Sequence, residues 1–578
     1  MKLLSESEVN QPSRAFSPLD LRYWRLLVGS ALLLILNQPL QAAETSAIRL
    51  NSIGYPPAAA KQASIAAPCT NFTVIRLIDH SNVFSGNIAG PVLNPDTREQ
   101  LFTADFSAVT ADGDYQLDVP GVGRSAPFRV AADVYRQPYY LVMRGFYLWR
   151  CGTAVKATYQ GKTFAHAACH TNDAWLDYVG GGHTRKDGTK GWHDAGDYNK
   201  YTVNAGITVG CLFRAWEDFG PQLRRVGLDL PESGGKLPDF LAELKWETDW
   251  LFTMQAPDGS VYHKLTTKRF GEFILPEKET ADRYFTPWGS EATADFVAMM
   301  AQAARNFRPY DPAYADRCLQ AAQKSYRFLQ THPEYHQADQ TGFTTGGYEV
   351  NEPSHRTGGV PQNRLWAAAE VWETDGAPDA LRDLETRIRS VNGRVDTDFD
   401  WDETKNLGLI TYVFSQRTGR DPDLVSLVRS NLLAVADDIV QTAGRNGYQR
   451  PLGSRYYWGC NGGVARQTLL LLAASRLAPD NSAYRATALD ALNYLFGRNC
   501  YDRSFVTGIG FKPPMHPHDR RSGGDNVVEP WPGYLVGGPH PRATDWHDEQ
   551  SDFRTNEIAI NWNAALVYAL AAFLPTAE

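Results

Sequence analysis

A mainly α-helical chain with a small β-sandwich in front of the helices is the fold class that the sequence predicts. Short β-type runs separated by Gly, Pro, Asn and Asp occupy residues 47–130, and amphipathic stretches dominate the chain after that point. A chain of 578 residues is also longer than one core normally supports. We expect a leader at 1–43, a β-sandwich domain at 44–131 and a helical domain at 132–578.

The first 43 residues resemble a secretory signal. Three arginines precede the apolar run LLVGSALLLIL at 26–36, and Ala42 and Ala43 supply the small residues of a cleavage region. The run is short for a membrane span, although an uncleaved anchor is the alternative. We expect a secreted or periplasmic protein with no stable membrane insertion after the leader is cleaved.

The composition excludes some partners. A net charge of -8 provides no basic field, which argues against nucleic acid as a partner. A neutral carbohydrate is compatible with this charge, and the 15 Trp and 27 Tyr supply flat faces that suit sugar rings. The seven cysteines are scattered and odd in number, so we expect no disulfide framework.

The β-type runs are FTVIRLI at 72–78, YQLDV at 115–119 and PFRV at 127–130. Their length and spacing are typical of a small immunoglobulin-like sandwich.

Twelve amphipathic stretches follow the β-region. They begin near Tyr135, Val203, Leu237, Ser290, Pro312, Arg364, Pro378, Thr404, Asp421, Gly463, Ser482 and Asn556. Twelve helices can form six hairpins, and six hairpins closed in a ring make an (α/α)6 barrel. An open solenoid would give a similar number of helices, but the sequence shows no fixed-period repeat. We expect the long Gly- and Pro-rich segment 497–555 to help build a cleft on one face.

The segment GWHDAGDYNKY at 191–201 is the strongest local motif for chemistry. It places Asp194 and Asp197 three residues apart before a helix, where two carboxylates can hold a water and shift each other's proton affinity. One of them could instead cap the helix. Near the C-terminus, Glu557 opens an apolar helix, where it either compensates the helix dipole or stays protonated as an acid.

Seven segments make the chain resemble glycoside hydrolase family 9. They are GWHDAGDYNKY, the block at 231–265, NRLWAAAEVW at 363–372, YYWGCNGGVARQTLLLLA at 456–473, NYLFGRNCYDRSFVTGIG at 493–510, PHDR at 517–520 and TNEIAINWNAALV at 555–567. They follow the family's order across nearly the whole helical region. The N-terminal part resembles the immunoglobulin-like module of one subgroup.

The resemblance implies an (α/α)6 barrel that hydrolyses β-1,4-glucans with inversion, most simply as an endoglucanase. It implies Asp197 as general base, Asp194 as a second ligand of the attacking water and Glu557 as general acid. It nominates His518 and Arg520 as residues that bind the sugar. Independently of the resemblance, Tyr457 and Trp458 are candidate sugar contacts, with core packing as the alternative. Inversion requires a raised pKa for the acid, and we expect a low pKa for Asp197.

The resemblance also implies a structural zinc. Cys151, Cys169, His170 and His193 match its ligands and make a closed tetrahedral set. His183 in place of His193, or a disulfide between Cys151 and Cys169 after export, are the alternatives. Calcium is also expected in the family, but the usual acidic pair is replaced here by Gln362 and Asn363, so no calcium ligands are predicted.

Two other functions compete with an endoglucanase. An exo-acting β-glucosidase or exo-glucosaminidase of the same fold would close one end of the cleft. A non-catalytic carbohydrate-binding protein would have lost a catalytic carboxylate, whereas all three are present in this chain. We expect a monomer.

Overall fold

The computed structural model describes residues 46–348 and 362–576. The predicted leader at 1–43 lies outside the described residues. From Ala47 onward the chain forms one unit that contains both the strands and the helices. None of the helices in the described ranges is long and apolar enough to cross a membrane.

Nine strands at 48–130 form the N-terminal sandwich. They are β1 (Ile48–Arg49), β2 (Gly54–Tyr55), β3 (Gln62–Ile65), β4 (Asn71–Arg76), β5 (Asn82–Leu93), β6 (Gln100–Asp105), β7 (Gly113–Val119), β8 (Gly123–Arg124) and β9 (Phe128–Val130). The strand order is β1-β3-β6-β5-β4-β7-β9-β2, and β8 pairs with β7. The first half of β5 pairs with β4 and the second half with β6, so this long strand joins two layers around one apolar core. The predicted β-sandwich is confirmed.

Twelve helices of ten or more residues occupy the rest of the described chain. They are α1 (Arg136–Leu148), α2 (Thr202–Leu223), α3 (Asp239–Met254), α4 (Ser290–Phe307), α5 (Pro312–Thr331), α6 (Asn363–Asp375), α7 (Pro378–Ser390), α8 (Lys405–Phe414), α9 (Pro422–Gly444), α10 (Cys460–Leu477), α11 (Ser482–Leu495) and, after the short helices α12 (Arg520–Gly524) and α13 (Phe553–Asn556), α14 (Ile560–Ala571). Each long helix begins within four residues of its predicted start.

The burial patterns separate an inner from an outer ring of helices. Helices α4, α10 and α14 are buried on nearly every side, whereas α7 buries only Ala380, Leu384 and Ile388, one residue per turn. Helix α14 packs against α2 and α10, α2 against α4, α4 against α6, and α6 against α8. Alternate helices therefore line the barrel, and the predicted (α/α)6 architecture is confirmed.

Short strands in the loops frame one end of the barrel. Strands β10 (Val155–Tyr159) and β11 (Lys162–His166) form a hairpin, and β12 (Lys200–Tyr201), β13 (Lys264–Thr267) and β14 (Arg283–Phe285) form a small sheet. Strand β12 consists of the last two residues of the GWHDAGDYNKY segment, and α2 follows it directly. The small sheet therefore fixes the position at which this segment enters the barrel.

Candidate active site

Backbone hydrogen bonds hold the loop that carries Asp194 and Asp197. His193 N donates to Trp149 O (2.8 Å) at the end of α1, and Asp194 N donates to Asn199 O (3.0 Å) within the loop. Ile560 N, at the start of α14, donates to Asp194 O (2.9 Å). These bonds connect the loop to α1 and α14, the first and the last long helix of the barrel.

The two carboxyl groups of this loop have different surroundings. Asp194 accepts from Asn204 Nδ2 at Oδ1 and from the Tyr348 hydroxyl at Oδ2, both at 2.7 Å. Asp197 accepts at Oδ2 from Asn199 Nδ2 (2.6 Å) and the Tyr201 hydroxyl (3.1 Å). In the described part of the chain these bonds to Asp197 all end on Oδ2, so its Oδ1 is the carboxyl oxygen better placed to receive a proton from water.

Burial raises the pKa of Asp197, and this differs from the low pKa that we expect from the sequence. The Arg520 guanidinium and the hydrogen bonds from Asn199 and Tyr201 act in the opposite direction. The expectation was wrong in direction because the side chain is only 5% exposed, and a charged carboxylate loses its hydration there.

Glu557 lies between α13 and α14, on a segment fixed on both sides. Its carbonyl accepts from Gly537 N (2.9 Å), and His518 pairs with it in a β-bridge, where His518 N donates to Asn556 O (2.8 Å). Burial, and after it the nearby Asp197 and Asp194, raise the pKa of Glu557 well above its usual range. This shift is the direction that a proton donor requires.

The segment 517–520 is hydrogen-bonded to the aspartate loop at Gly196. Arg520 donates to Gly196 O from its backbone N (3.0 Å) and from Nη1 (2.9 Å). His518 Nδ1 lies 2.7 Å from Gln550 O, which assigns its proton to Nδ1 and leaves Nε2 as an acceptor. Burial lowers the pKa of His518, which favours this neutral form. Asp519 caps α12 and pairs with Arg521, a structural role.

Replacing Gly196 with Ala is expected to separate the two segments. A Cβ at this position would lie 2.0 Å from the backbone oxygen of His518, so one of the two backbones must move. We expect a loss of activity of at least about tenfold and a lowered Tm, because a shift of about 1 Å in a reacting group can cost about 10²-fold in rate. Gly444 has no atom within 4 Å of its hypothetical Cβ, so Gly444→Ala is the matched control. Wild-type kcat/KM and Tm in Gly196→Ala would contradict the close approach.

The predicted acid and base line one cavity of about 570 Å³. Asp194, Asp197, His518, Arg520 and Glu557 all contribute to its wall. The structure thus brings together five of the six residues that we expect for catalysis and substrate binding.

Tyr457 is the exception among these six residues, and its role as a sugar contact stays a prediction. Its hydroxyl donates to Asp398 Oδ1 (2.9 Å) and its ring packs over Gly463, so it does not line the cavity. The next residue, Trp458, lines the cavity instead and is 47% exposed.

Several aromatic residues of the cavity were not predicted. They are Tyr201, Phe270, Tyr348, Trp401, Phe553 and Trp562. Tyr348 follows Gly346 and Gly347, whose carbonyls lie 2.9 Å from Lys264 Nζ and 2.7 Å from His263 Nε2. For Tyr348, the only signal in the sequence is an aromatic residue after two glycines in a loop. This pattern is too common to identify a residue of an active site.

Cys151, Cys169, His170 and His193 form a buried cluster that can hold a metal ion. One ligand atom from each lies within 4.8 Å of all the others. Cys151 follows α1, Cys169 and His170 follow β11, and His193 directly precedes Asp194. A metal at this cluster would link two other segments, after α1 and after β11, to the aspartate loop.

The alternatives for this cluster are not favoured. His183 stacks on Trp175, pairs with Asp177 and is 72% exposed, away from the other three ligands. Cys151 and Cys169 are both free thiols in this structure.

No set of calcium ligands is assigned among the described residues. Asn363 Nδ2 donates to Asp295 Oδ1 (2.9 Å), and the backbone N of Gln362 donates to Glu403 Oε1 (3.4 Å). In the described ranges, no second group of three His, Cys, Asp or Glu residues gathers its ligand atoms as the cysteine–histidine cluster does. Calcium stays a prediction without assigned ligands.

Comparison with known proteins gives two matching families. The model of Glycosyl hydrolase family 9 matches residues 135–570, and that of the cellulase N-terminal ig-like domain matches residues 43–124. Endoglucanase D of Acetivibrio thermocellus is 54% identical over 531 residues, which cover 92% of this chain and 83% of that protein.

Solved structures agree with this result. A metagenome-derived glycoside hydrolase family 9 endoglucanase superposes with a TM-score of 0.85 at 33% identity and covers 91% of this chain and 98% of that one. A Zn-binding triple mutant of the family 9 endoglucanase J30 has a TM-score of 0.82 at 33% identity and covers 90% of this chain and 100% of that one.

Proposed function

The chain belongs to glycosyl hydrolase family 9, and we propose from this premise that it cleaves internal β-1,4-glucan bonds with inversion. Asp197 is the general base in this proposal and Glu557 the general acid. The observation that carries the assignment is the pair of acids on one cavity. Burial raises the pKa of both, and that of Glu557 lies well above its usual range. An inverting site needs such a pair with room for a water between them.

The reaction uses each carboxyl group once. Asp197 Oδ1 takes a proton from a water whose oxygen attacks the anomeric carbon, while Glu557 gives its proton to the departing glycosidic oxygen. The C–O bond to the anomeric carbon breaks as the new C–O bond forms on the opposite face. Asp194 contributes by orientation, because both of its oxygens already accept hydrogen bonds from Asn204 and Tyr348.

His518 and Arg520 are substrate-binding residues in this proposal. The neutral His518 offers Nε2 to a sugar hydroxyl, and the Arg520 side chain lies between the backbone of the aspartate loop and the cavity. The exposed rings of Phe270, Trp458 and Phe553 lie at the same cavity and provide flat faces for sugar rings. These rings suit a neutral polysaccharide better than a charged ligand.

We propose that the buried cysteine–histidine cluster holds a structural zinc. Cys151 Sγ lies 3.7 Å from His170 Nδ1, and Cys169 Sγ lies 3.8 Å from His193 Nε2. These distances are close to the roughly 3.6 Å between sulfur and nitrogen ligands of a tetrahedral zinc, for bonds of about 2.3 and 2.05 Å. When bound, zinc supplies a cross-link and no catalytic position, because four protein ligands complete its coordination.

Export and a monomeric state remain part of the proposal. Support for export comes from the basic, apolar and small-residue pattern of the first 43 residues and from a polymeric substrate that cells degrade outside. Exo-action and a non-catalytic role are the competing functions. A non-catalytic role is disfavoured because Asp194, Asp197 and Glu557 all lie at the cavity.

Product analysis tests internal cleavage. We expect the viscosity of a soluble β-1,4-glucan to fall early while few reducing ends have formed, and we expect cellohexaose to give several product lengths at once. An exo-acting control enzyme should release monomer or dimer before the viscosity falls. The same order of events in this protein would contradict endo-action.

A further inference from the structure

Glu279 lies beside the metal cluster and belongs to a segment that no prediction had connected with the metal. Its Oε2 is 3.3 Å from His170 Nε2, the ring nitrogen that faces away from Cys151. Both side chains are almost fully buried, at 7% and 3% exposed. Among the residues that the structure describes, neither of these two atoms has a hydrogen-bond partner, and their 3.3 Å contact is at ion-pair distance.

The geometry points to Glu279 as a positioning residue for the metal, and we propose that it holds His170 by its outer nitrogen. This inference rests on the proposed zinc. A histidine that binds a metal through one nitrogen usually donates its other N–H to a carboxylate, which fixes the ring and strengthens the ligand. Because Nδ1 faces Cys151, Nε2 is the nitrogen available for that bond.

The absence of a side chain at Gly271 leaves room for the Glu279 carboxylate. A Cβ on Gly271 would lie 2.3 Å from Glu279 Oε1, so a larger residue at this position would displace the carboxyl group from where it now lies. The carbonyl of Gly271 in turn accepts from Arg520 Nε (3.0 Å). The segment 270–279 therefore contacts the metal ligand at one end and a cavity residue at the other.

Two further contacts tie the same segment to the cavity. The Phe273 ring meets the His518 ring edge to face, with centroids 5.1 Å apart. Phe270, at the start of the segment, lines the cavity. The proposal is therefore that the metal orders the cavity wall through His170 and Glu279 as well as through His193.

A charge-balancing role is the competing explanation for Glu279, because Arg283 and Arg520 lie close enough to interact with it electrostatically. The two explanations differ in what they predict for zinc. If Glu279 only balances the charge of the arginines, its removal should leave zinc binding unchanged. If Glu279 holds His170, its removal should weaken zinc binding.

The experiment measures zinc affinity in the full-length protein by competition with a colorimetric chelator. Glu279→Ala and the near-isosteric Glu279→Gln are compared with Glu272→Ala, which removes an exposed carboxylate from the same segment. We expect Glu279→Ala to raise the zinc dissociation constant by about 10–100-fold, Glu279→Gln to raise it less, and Glu272→Ala to leave it unchanged. Circular dichroism identifies any variant that does not fold, and Glu279→Gln then carries the test.

Hydrogen exchange supplies the second readout. Removing zinc from the wild type is expected to increase exchange in residues 270–279, and Glu279→Ala should show that increase with zinc still bound. Wild-type zinc affinity in both Glu279 variants would overturn this inference alone. A wild-type protein that binds no zinc would overturn the zinc proposal and this inference together, and neither result bears on the glycosidase activity.

Discussion

Replacing Glu557 with Gln is expected to lower kcat on cello-oligosaccharides by about 10²–10⁴-fold, because the amide has no proton to give to the departing oxygen. KM should change little, since Gln occupies nearly the same volume at the cavity wall. Steady-state kinetics on cellopentaose measure the effect. Glu549→Gln, an exposed position on the loop before Glu557, is the matched control and should behave as the wild type.

The leaving group separates the acid from a merely structural residue. In an aryl glycoside such as 2,4-dinitrophenyl β-cellobioside, the leaving group departs as the stable dinitrophenolate anion and needs no proton, so Glu557→Gln should hydrolyse this substrate at close to the wild-type rate. Equal losses on both substrates would mean that the substitution has damaged the site in general. Wild-type turnover of cellopentaose would remove Glu557 from its role.

The pH dependence follows from the same group. Glu557 acts while it is protonated, and its pKa is raised well above the usual range by burial and by the two aspartates. Activity on natural substrates should therefore persist up to that raised pKa and fall as the pH rises through it. With the aryl substrate, this alkaline decline should disappear in Glu557→Gln.

Replacing Asp197 with Asn is expected to have an equally large effect, about 10²–10⁴-fold in kcat, on both the natural and the aryl substrate. Every productive attack needs a base for the water, whatever the leaving group is. Asp197 must be ionised to act, and burial raises its pKa, so wild-type activity should fall as the pH drops through that raised value.

Two comparisons test the role of Asp197. Azide needs no base, so it should restore part of the activity of Asp197→Asn on the aryl substrate and give the α-glycosyl azide. Tyr201→Phe removes one hydrogen bond to Asp197 Oδ2 and keeps the carboxylate, so its loss should be much smaller. Substantial activity of Asp197→Asn on cellopentaose without azide would contradict its assignment as the base.

The helical architecture could be predicted because its signal is local. An inner helix such as α14 and an outer helix such as α7 both repeat apolar residues at helical spacing, and each start lies within four residues of its expected position. The acids were found because they lie in segments that match a family motif. Asp197 and Glu557 are 360 residues apart in sequence, and no local pattern indicates that they line one cavity.

The parts of the site that were missed depend on contacts between distant loops. Tyr457 and Trp458 are adjacent aromatics, and the hydrogen bond from Tyr457 to Asp398 decides which ring faces the cavity. Tyr348 reaches Asp194 because Lys264 and His263 hold the two preceding carbonyls. The pKa of Asp197 depends on burial, which the sequence of the loop does not reveal.

The anomeric configuration of the first product tests the central claim most directly. Proton NMR of cellopentaose hydrolysis, recorded before mutarotation, should show α-anomeric reducing ends first, because Asp197 directs water to the face opposite the departing sugar. Early appearance of the β-anomer would require a covalent intermediate and would contradict the roles given to Asp197 and Glu557.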